Sequence, residues 1–172
     1  VLVLSNRPDA AGLAHAREKG VPTAVVDHRA HGARAAFEAA MEAEIARAGA
    51  RLLCLAGFMR VLTADFVARW HDRIVNVHPS LLPAFRGLDT HARALAAGVR
   101  IHGCTVHLVR PDVDEGPILM QAAVPVMPDD DESRLAARVL AQEHRIFPAA
   151  LRRLLEGAPP PPAALARASL VS

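Results

Sequence analysis

The stretch NVHPSLLPAFRGLDTH, residues 76–91, begins at the end of a predicted buried strand. The apolar run from Arg73 to His78 is rich in β-branched residues, which is typical of a core strand. Side chains alternate between the two faces of a strand, so Asn76 and His78 share one face, and Pro79 ends the strand after them. An amide and an imidazole are costly in a core unless their polar atoms are satisfied. The pattern therefore predicts chemistry at this strand end.

Composition limits the class of protein. The 172 residues are enough for one domain, and 52% hydrophobic and 22% charged residues are typical of a globular protein. A net charge of +2 does not by itself argue for nucleic-acid binding, and no run is long enough for a membrane helix. Cys54 and Cys104 lack metal or redox spacing, so we expect two buried thiols in a reduced, cytoplasmic protein.

Apolar periodicity predicts strands that alternate with helices. The expected strands are residues 1–5, 21–26, 52–58, 73–78, 101–109 and 118–126, and the expected helices are 12–19, 32–48, 63–70, 89–97 and a long one after Asp129. Asp129 and Glu132 predict a capping box for that last helix, and Pro148 predicts a kink within it. This order predicts an α/β fold with a doubly wound, mostly parallel sheet flanked by helices.

The domain is expected to span residues 1–157, followed by an extended proline-rich tail at 158–172. Ligands of doubly wound sheets bind beyond the carboxyl ends of the strands, where His78 is expected to lie.

The loop at residues 110–117 is long for a connection between two paired strands, which favours a functional role. It carries Asp112, Asp114 and Glu115, any of which could pair with His78 and favour its protonated form. The alternative is a solvated acidic turn.

Two other chemistries are less well supported. The histidines, including His102 and His107, lack the helical spacing of a zinc site, so we predict no bound metal. Ser80 lacks the surrounding motif of a hydrolase nucleophile.

Several motifs together resemble one enzyme family. They are LAGFMRVL at 55–62, the stretch at 76–91, HGCTVHLV at 102–109, DVDEGPIL at 112–119 and QEHRIFP at 142–148. In unbroken register from Val3 to Leu155, the chain resembles the phosphoribosylglycinamide formyltransferase family of folate-dependent enzymes. The resemblance implies a Rossmann-type fold and formyl transfer from 10-formyltetrahydrofolate to the amine of 5-phosphoribosylglycinamide, a step of purine biosynthesis.

The resemblance also implies a catalytic group of Asn76, His78 and Asp114. Asn76 and protonated His78 would stabilise the oxyanion that forms when the amine attacks the formyl carbon. His78 would then help to move the amine proton to the leaving nitrogen, so no covalent enzyme intermediate is needed.

Binding residues follow from the same resemblance. Folate contacts are implied for Arg34, Met59, Arg60, Val61, Leu62, Asn76, Arg110, Pro111, Asp112 and Val113, and ribonucleotide contacts for Gln142 and Glu143. Arg34 would reach a carboxylate, or else pair with Glu38 four residues on. Met59 could instead be a core residue, and Glu143 an exposed helix charge.

The resemblance starts late in the family pattern. Val1–Asn6 matches the family's second strand, so we expect roughly 30 residues before Val1, the length of one strand–loop–helix unit. That unit would hold the amides that bind the substrate phosphate.

Other activities remain as alternatives. Formyltetrahydrofolate deformylase, a hydrolase, shares the Asn, His and Asp group but typically carries His where this chain has Pro79. A methionyl-tRNA formyltransferase would need an RNA-binding domain after the catalytic one, and a protein that only binds folate is a non-enzymatic alternative. Small molecules are the expected partners, with neither nucleic acid nor membrane, and the sequence does not predict an oligomeric state.

Overall fold

The computed structural model describes residues 1–157, so the predicted proline-rich tail at 158–172 lies outside the described residues. The strands in this range are β1 (Val3–Ser5), β2 (Thr23–Val25), β3 (Leu53–Leu55), β4 (Ile74–His78), β5 (Ile101–Leu108) and β6 (Ile118–Pro125). The helices are α1 (Ala11–Glu18), α2 (Arg34–Arg47), α3 (Ala64–Arg69), α4 (Thr90–Ala96) and α5 (Glu132–Leu155), with a short 3-10 helix at His28–Ala30.

The strands form a mixed arrangement. β1 pairs with β2 in parallel, and a four-stranded sheet has the order β3-β4-β5-β6. The β3–β4 pair is parallel, whereas β4–β5 and β5–β6 are antiparallel. Only a loop joins β5 to β6, which suits an antiparallel pair, because a parallel pair needs a longer crossover connection. The predicted α/β class is confirmed. The sheet is mixed, because the strands β4, β5 and β6 pair in antiparallel fashion.

Two hydrophobic clusters cover opposite faces of the four-stranded sheet. Ile74 packs with residues of α2 and α3, whereas the next residue, Val75, packs with residues of α5. Successive side chains of a strand point to opposite faces, so β4 lies between two helical layers. Leu135 and Val139 of α5 are fully buried, and each contributes about 1.5–3 kcal/mol by burial. This packing holds the carboxyl end of β4 in place.

Three local predictions were wrong. The N-cap of α5 is Asp131, whose carboxylate accepts from the Arg134 backbone N–H, and not Asp129. The strand β3 is shorter than predicted. Cys54 is exposed, because β3 is an edge strand of its sheet in the described part of the chain, whereas Cys104 is buried as expected. None of the helices within residues 1–157 combines the length and apolar character needed to span a membrane.

The burial of His102 should make the fold sensitive to acid. It is 1% exposed, and burial lowers its pKa to about 4 from an ordinary value of 6.5. Between pH 6.5 and 4 the unfolded chain binds a proton that the folded one resists, so stability falls as the pH falls through this window. We expect His102→Phe to remove up to about 3 kcal/mol of this loss. Urea denaturation at pH 7 and pH 4.5 measures it, and an identical pH dependence in both proteins would contradict the assignment.

Candidate active site

The carboxyl end of β4 places His78 beside Asp114. His78 Nδ1 lies 3.4 Å from Asp114 Oδ2, and the two side chains are 7% and 10% exposed. The other ring nitrogen, Nε2, is 3.0 Å from the carbonyl oxygen of Phe85. A carbonyl can only accept, so Nε2 carries a proton in this hydrogen bond. When Nδ1 is also protonated, His78 is an imidazolium paired with a nearly buried carboxylate.

The loop between β5 and β6 is shaped to present Asp114. Asp114 has a left-handed φ of 55°, which aspartate tolerates better than most residues. Two residues later, a Cβ on Gly116 would lie 1.6 Å from the carbonyl oxygen of Leu108, so only glycine allows the loop to approach β5 this closely. The Leu108 backbone N–H donates to the Pro117 carbonyl at 2.9 Å and closes the loop.

Asn76 is oriented by His107, a residue for which the sequence suggests no role other than metal binding. Asn76 Nδ2 lies 3.2 Å from His107 Nε2, and His107 Nδ1 lies 3.0 Å from the Leu108 carbonyl. The carbonyl requires a proton on Nδ1, so Nε2 accepts from the Asn76 amide. Burial lowers the pKa of His107, which favours this neutral form. One Asn76 N–H is thereby used, and the second remains for a ligand.

His107 also lies beside the acid of the pair, since its Nε2 is 3.6 Å from Asp114 Oδ1. The feature that reveals the role of His107 is the pairing of β4 with β5, in which Asn76 lies directly opposite His107. That register is not visible in the sequence, because it depends on how β4 and β5 pair.

The other two acidic residues of the loop lie away from His78. Glu115 forms a surface ion pair with Arg86, and Asp112 is exposed. Of the three candidates, geometry therefore brings only Asp114 to the imidazole.

Most of the residues assigned to folate by resemblance follow β3 or β5, whereas Arg34 begins α2 and Asn76 lies in β4. Met59, Val61 and Val113 are 77%, 53% and 50% exposed, so Met59 is not a core residue. Leu62 is buried, and Val109 packs against the hydrophobic cluster to which Leu62 belongs. Exposed apolar side chains such as these are suited to contact with a flat ring.

The charged and polar members of that set differ in their surroundings. Arg60 and Asp112 are exposed, as is the apolar Pro111 between Arg110 and Asp112, and Arg110 donates to Asp72 at 2.5 Å. Arg34 is exposed at the start of α2. Glu38 is 2% exposed and accepts hydrogen bonds from the backbone and hydroxyl of Thr63, so the alternative pair of Glu38 with Arg34 was wrong.

Gln142 and Glu143 are half-buried on α5 rather than freely solvated. Burial raises the pKa of Glu143, and the charges of His144 and His78 oppose that rise. Within residues 1–157, no group of three or more His, Cys, Asp or Glu residues is arranged to hold a metal ion.

Comparison with known proteins finds clear sequence similarity. The model of the family described as formyl transferase matches residues 1–151. The phosphoribosylglycinamide formyltransferase of Escherichia coli strain K12 is 41% identical over 155 residues, which cover 90% of this chain and 73% of that protein. The trifunctional purine biosynthetic protein adenosine-3 of Gallus gallus is 48% identical over 158 residues, covering 92% of this chain. The chain spans only 16% of the length of this trifunctional relative.

Solved structures give the same result. The structure of glycinamide ribonucleotide transformylase 1 from Symbiobacterium toebii matches with a TM-score of 0.89 and 48% identity, covering 91% of this chain and 74% of that one. The phosphoribosylglycinamide formyltransferase from Brucella melitensis matches with a TM-score of 0.85 and 49% identity, covering 90% and 79%.

Proposed function

Because the chain belongs to the formyl transferase family, we propose that it transfers a formyl group from 10-formyltetrahydrofolate to the amine of 5-phosphoribosylglycinamide. The observation that carries this proposal is the buried constellation of His78, Asp114 and Asn76 at the end of β4, in a chain 41% identical to a phosphoribosylglycinamide formyltransferase. The reaction belongs to purine biosynthesis, and we place it in the cytoplasm.

Asn76 supplies a hydrogen-bond donor and His78 supplies a positive charge for this reaction. When the amine nitrogen bonds to the formyl carbon, negative charge develops on the formyl oxygen. The free N–H of Asn76 and the positive charge of His78 stabilise that oxygen, and each well-placed donor contributes about 3 kcal/mol in comparable sites. Asn76 needs no reorientation, because His107 already fixes its amide.

Asp114 and His78 transfer the proton of the attacking amine. The carboxylate stabilises the imidazolium beside it, since opposite charges in a poorly solvated site interact strongly. The bond from the formyl carbon to the folate nitrogen breaks, and the proton lost by the amine ends on that nitrogen by way of the pair. The pair returns to its starting state, so no external acid or base is consumed.

The formyl donor supplies an activated one-carbon group, and the residues on the loops after β3 and β5 fit it. We assign the exposed apolar side chains of Met59, Val61 and Val113 to the pterin ring and the exposed Arg34 to a glutamate carboxylate. Gln142 and Glu143 are assigned to the ribonucleotide, with Glu143 accepting from a ribose hydroxyl or the amine.

A two-acceptor assay tests the proposal against the hydrolytic alternative. The purified protein is incubated with 10-formyltetrahydrofolate, with and without 5-phosphoribosylglycinamide, and both the formylated ribonucleotide and free formate are measured. We expect formylated ribonucleotide to form and formate to stay at the background level. Formate release without the ribonucleotide would identify a deformylase, and folate binding without either product would identify a binding protein.

The assignment of Arg34 predicts a specific kinetic change. Replacing Arg34 with Gln removes a charged hydrogen bond made equally in the ground and transition states, so KM for the folate donor should rise about 10-fold with kcat unchanged. Arg47→Gln, at the other end of the same helix, is the control and should leave both constants as they are. A fall in kcat without a change in KM would remove Arg34 from the folate site.

A further inference from the structure

Phe85 and Gly87 hold the two members of the catalytic pair through main-chain atoms. The Phe85 carbonyl accepts from His78 Nε2 at 3.0 Å, and the Gly87 N–H donates to Asp114 Oδ2 at 2.9 Å. One short segment thus binds both the imidazole and the carboxylate. We call residues 85–87 the main-chain clamp.

The clamp has an uncommon backbone conformation at both contacting positions. Phe85 has a φ of 53° and Gly87 a φ of 77°, both in the left-handed region. For a bulky residue such as Phe85 this region is unfavourable and persists only when surrounding contacts enforce it. With this backbone conformation, the Phe85 carbonyl points towards His78 and the Gly87 N–H points towards Asp114.

Side chains around the clamp enforce this conformation. Arg93 of α4 donates to the carbonyls of Arg86 at 2.6 Å and Leu88 at 3.2 Å, and its guanidinium lies 5.7 Å from the centre of the Phe85 ring. The Phe85 ring also packs against the hydrophobic core and lies beside the buried His102, at 5.8 Å between ring centres in an edge-to-face arrangement. The middle residue of the clamp, Arg86, pairs with Glu115, the residue after Asp114.

We propose that the main-chain clamp is a positioning element that sets the relative geometry of His78 and Asp114. This inference rests on the proposed function for its kinetic consequence, but the clamp itself is independent of the substrate. His78 lies on β4, whereas Asp114 lies on the loop that follows β5, so the two residues are on separate segments of the chain. The clamp is bonded to both, so it fixes the distance between two groups that arise on separate elements.

Gly87→Ala tests the clamp without filling any space. A Cβ at Gly87 meets nothing within 4 Å, so the substitution acts only through the positive φ. We expect kcat to fall about 10-fold or more, because small misplacements of catalytic groups are costly, while KM for both substrates stays unchanged. The NMR signals of the two His78 ring nitrogens should also shift as the hydrogen bond to Phe85 weakens.

Gly98→Ala is the matched control. Gly98 follows α4, has a φ of 66° and likewise has nothing within 4 Å of a Cβ, but it lies outside the clamp. Both variants should lower the melting temperature by a similar few degrees, as a strained backbone position does. Only Gly87→Ala should change kcat and the His78 signals. Equal kcat and unchanged His78 signals in the two variants would overturn the proposal.

Two further variants cover the remaining outcomes. Asparagine tolerates the left-handed region, so Gly87→Asn should recover part of the lost kcat. If Gly87→Ala does not fold, Arg93→Met takes its place, because methionine keeps the packing of the aliphatic part of the Arg93 side chain and removes its hydrogen bond to the clamp. Altered NMR signals of His78 in this variant would support the proposal, and unchanged signals would overturn it. The NMR readout needs no turnover, so failure of the clamp is distinguishable from failure of the proposed reaction.

Discussion

Asp114→Asn is expected to lower kcat for formyl transfer by about 1,000-fold, which is within the range for loss of a group that stabilises a catalytic imidazolium. The substitution removes the negative charge 3.4 Å from His78 Nδ1 and leaves an amide of nearly the same shape. Asparagine also tolerates the left-handed φ of 55° at this position, and its oxygen can still accept from the Gly87 N–H. The fold should therefore persist, and steady-state kinetics with both substrates measure the loss.

Asp112→Asn is the control for this experiment. Asp112 lies in the same loop, is exposed and is assigned to folate binding only, so the same chemical change there should leave kcat within a factor of about two and confine any loss to KM for the folate donor. Comparable losses in the two variants would show that the loop needs negative charge in general and that no specific pair with His78 exists.

The parts of the fold that the sequence predicts are those set by local pattern. The strand ending at His78 was predicted to its last residue, because β-branched periodicity and the following Pro79 are both local signals. The N-cap of α5 was not, because Asp129 and Asp131 both precede the helix and the choice depends on where its first turn begins. Likewise, the exposure of Cys54 depends on which strands flank β3, and an apolar run cannot reveal that.

The candidate site divides in the same way. The sequence places Asn76 and His78 on one strand face, whereas the choice of Asp114 among the three acidic residues came from the family resemblance. The structure adds what fixes these groups: His107 behind Asn76 and the main-chain clamp behind His78 and Asp114. The position of His107 depends on how two strands pair, which the sequence does not show. The clamp acts through backbone atoms, which every residue has, so no sequence pattern can reveal it.

The antiparallel half of the sheet explains how these groups converge. β5 runs antiparallel to β4, so its end at Leu108 lies beside the start of β4 and its middle passes the end that carries His78. The loop after β5 then folds back across its last residues, because Gly116 permits close approach to the Leu108 carbonyl. A carboxylate from this loop can thereby reach a histidine at the end of the neighbouring strand.

Asn76→Ala is expected to reduce kcat by about 100-fold to 1,000-fold, while the dissociation constant of a folate analogue changes less than about threefold. The reason is that the free amide N–H meets charge that develops only in the transition state, whereas in the ground state Asn76 is one of many side chains assigned to the folate. His107→Phe should cause part of the same loss, since it removes the acceptor that orients the amide at 3.2 Å.

A double-mutant cycle on Asn76 and His107 then separates orientation from direct action. If His107 acts only through Asn76, then adding His107→Phe to Asn76→Ala should cost no further activity, and the two losses should be strongly non-additive. Isothermal titration with the folate analogue supplies the binding half of the measurement. Analogue affinity that weakens in step with kcat would make Asn76 a binding residue and exclude its role at the developing oxyanion, and additive losses would give His107 a role of its own.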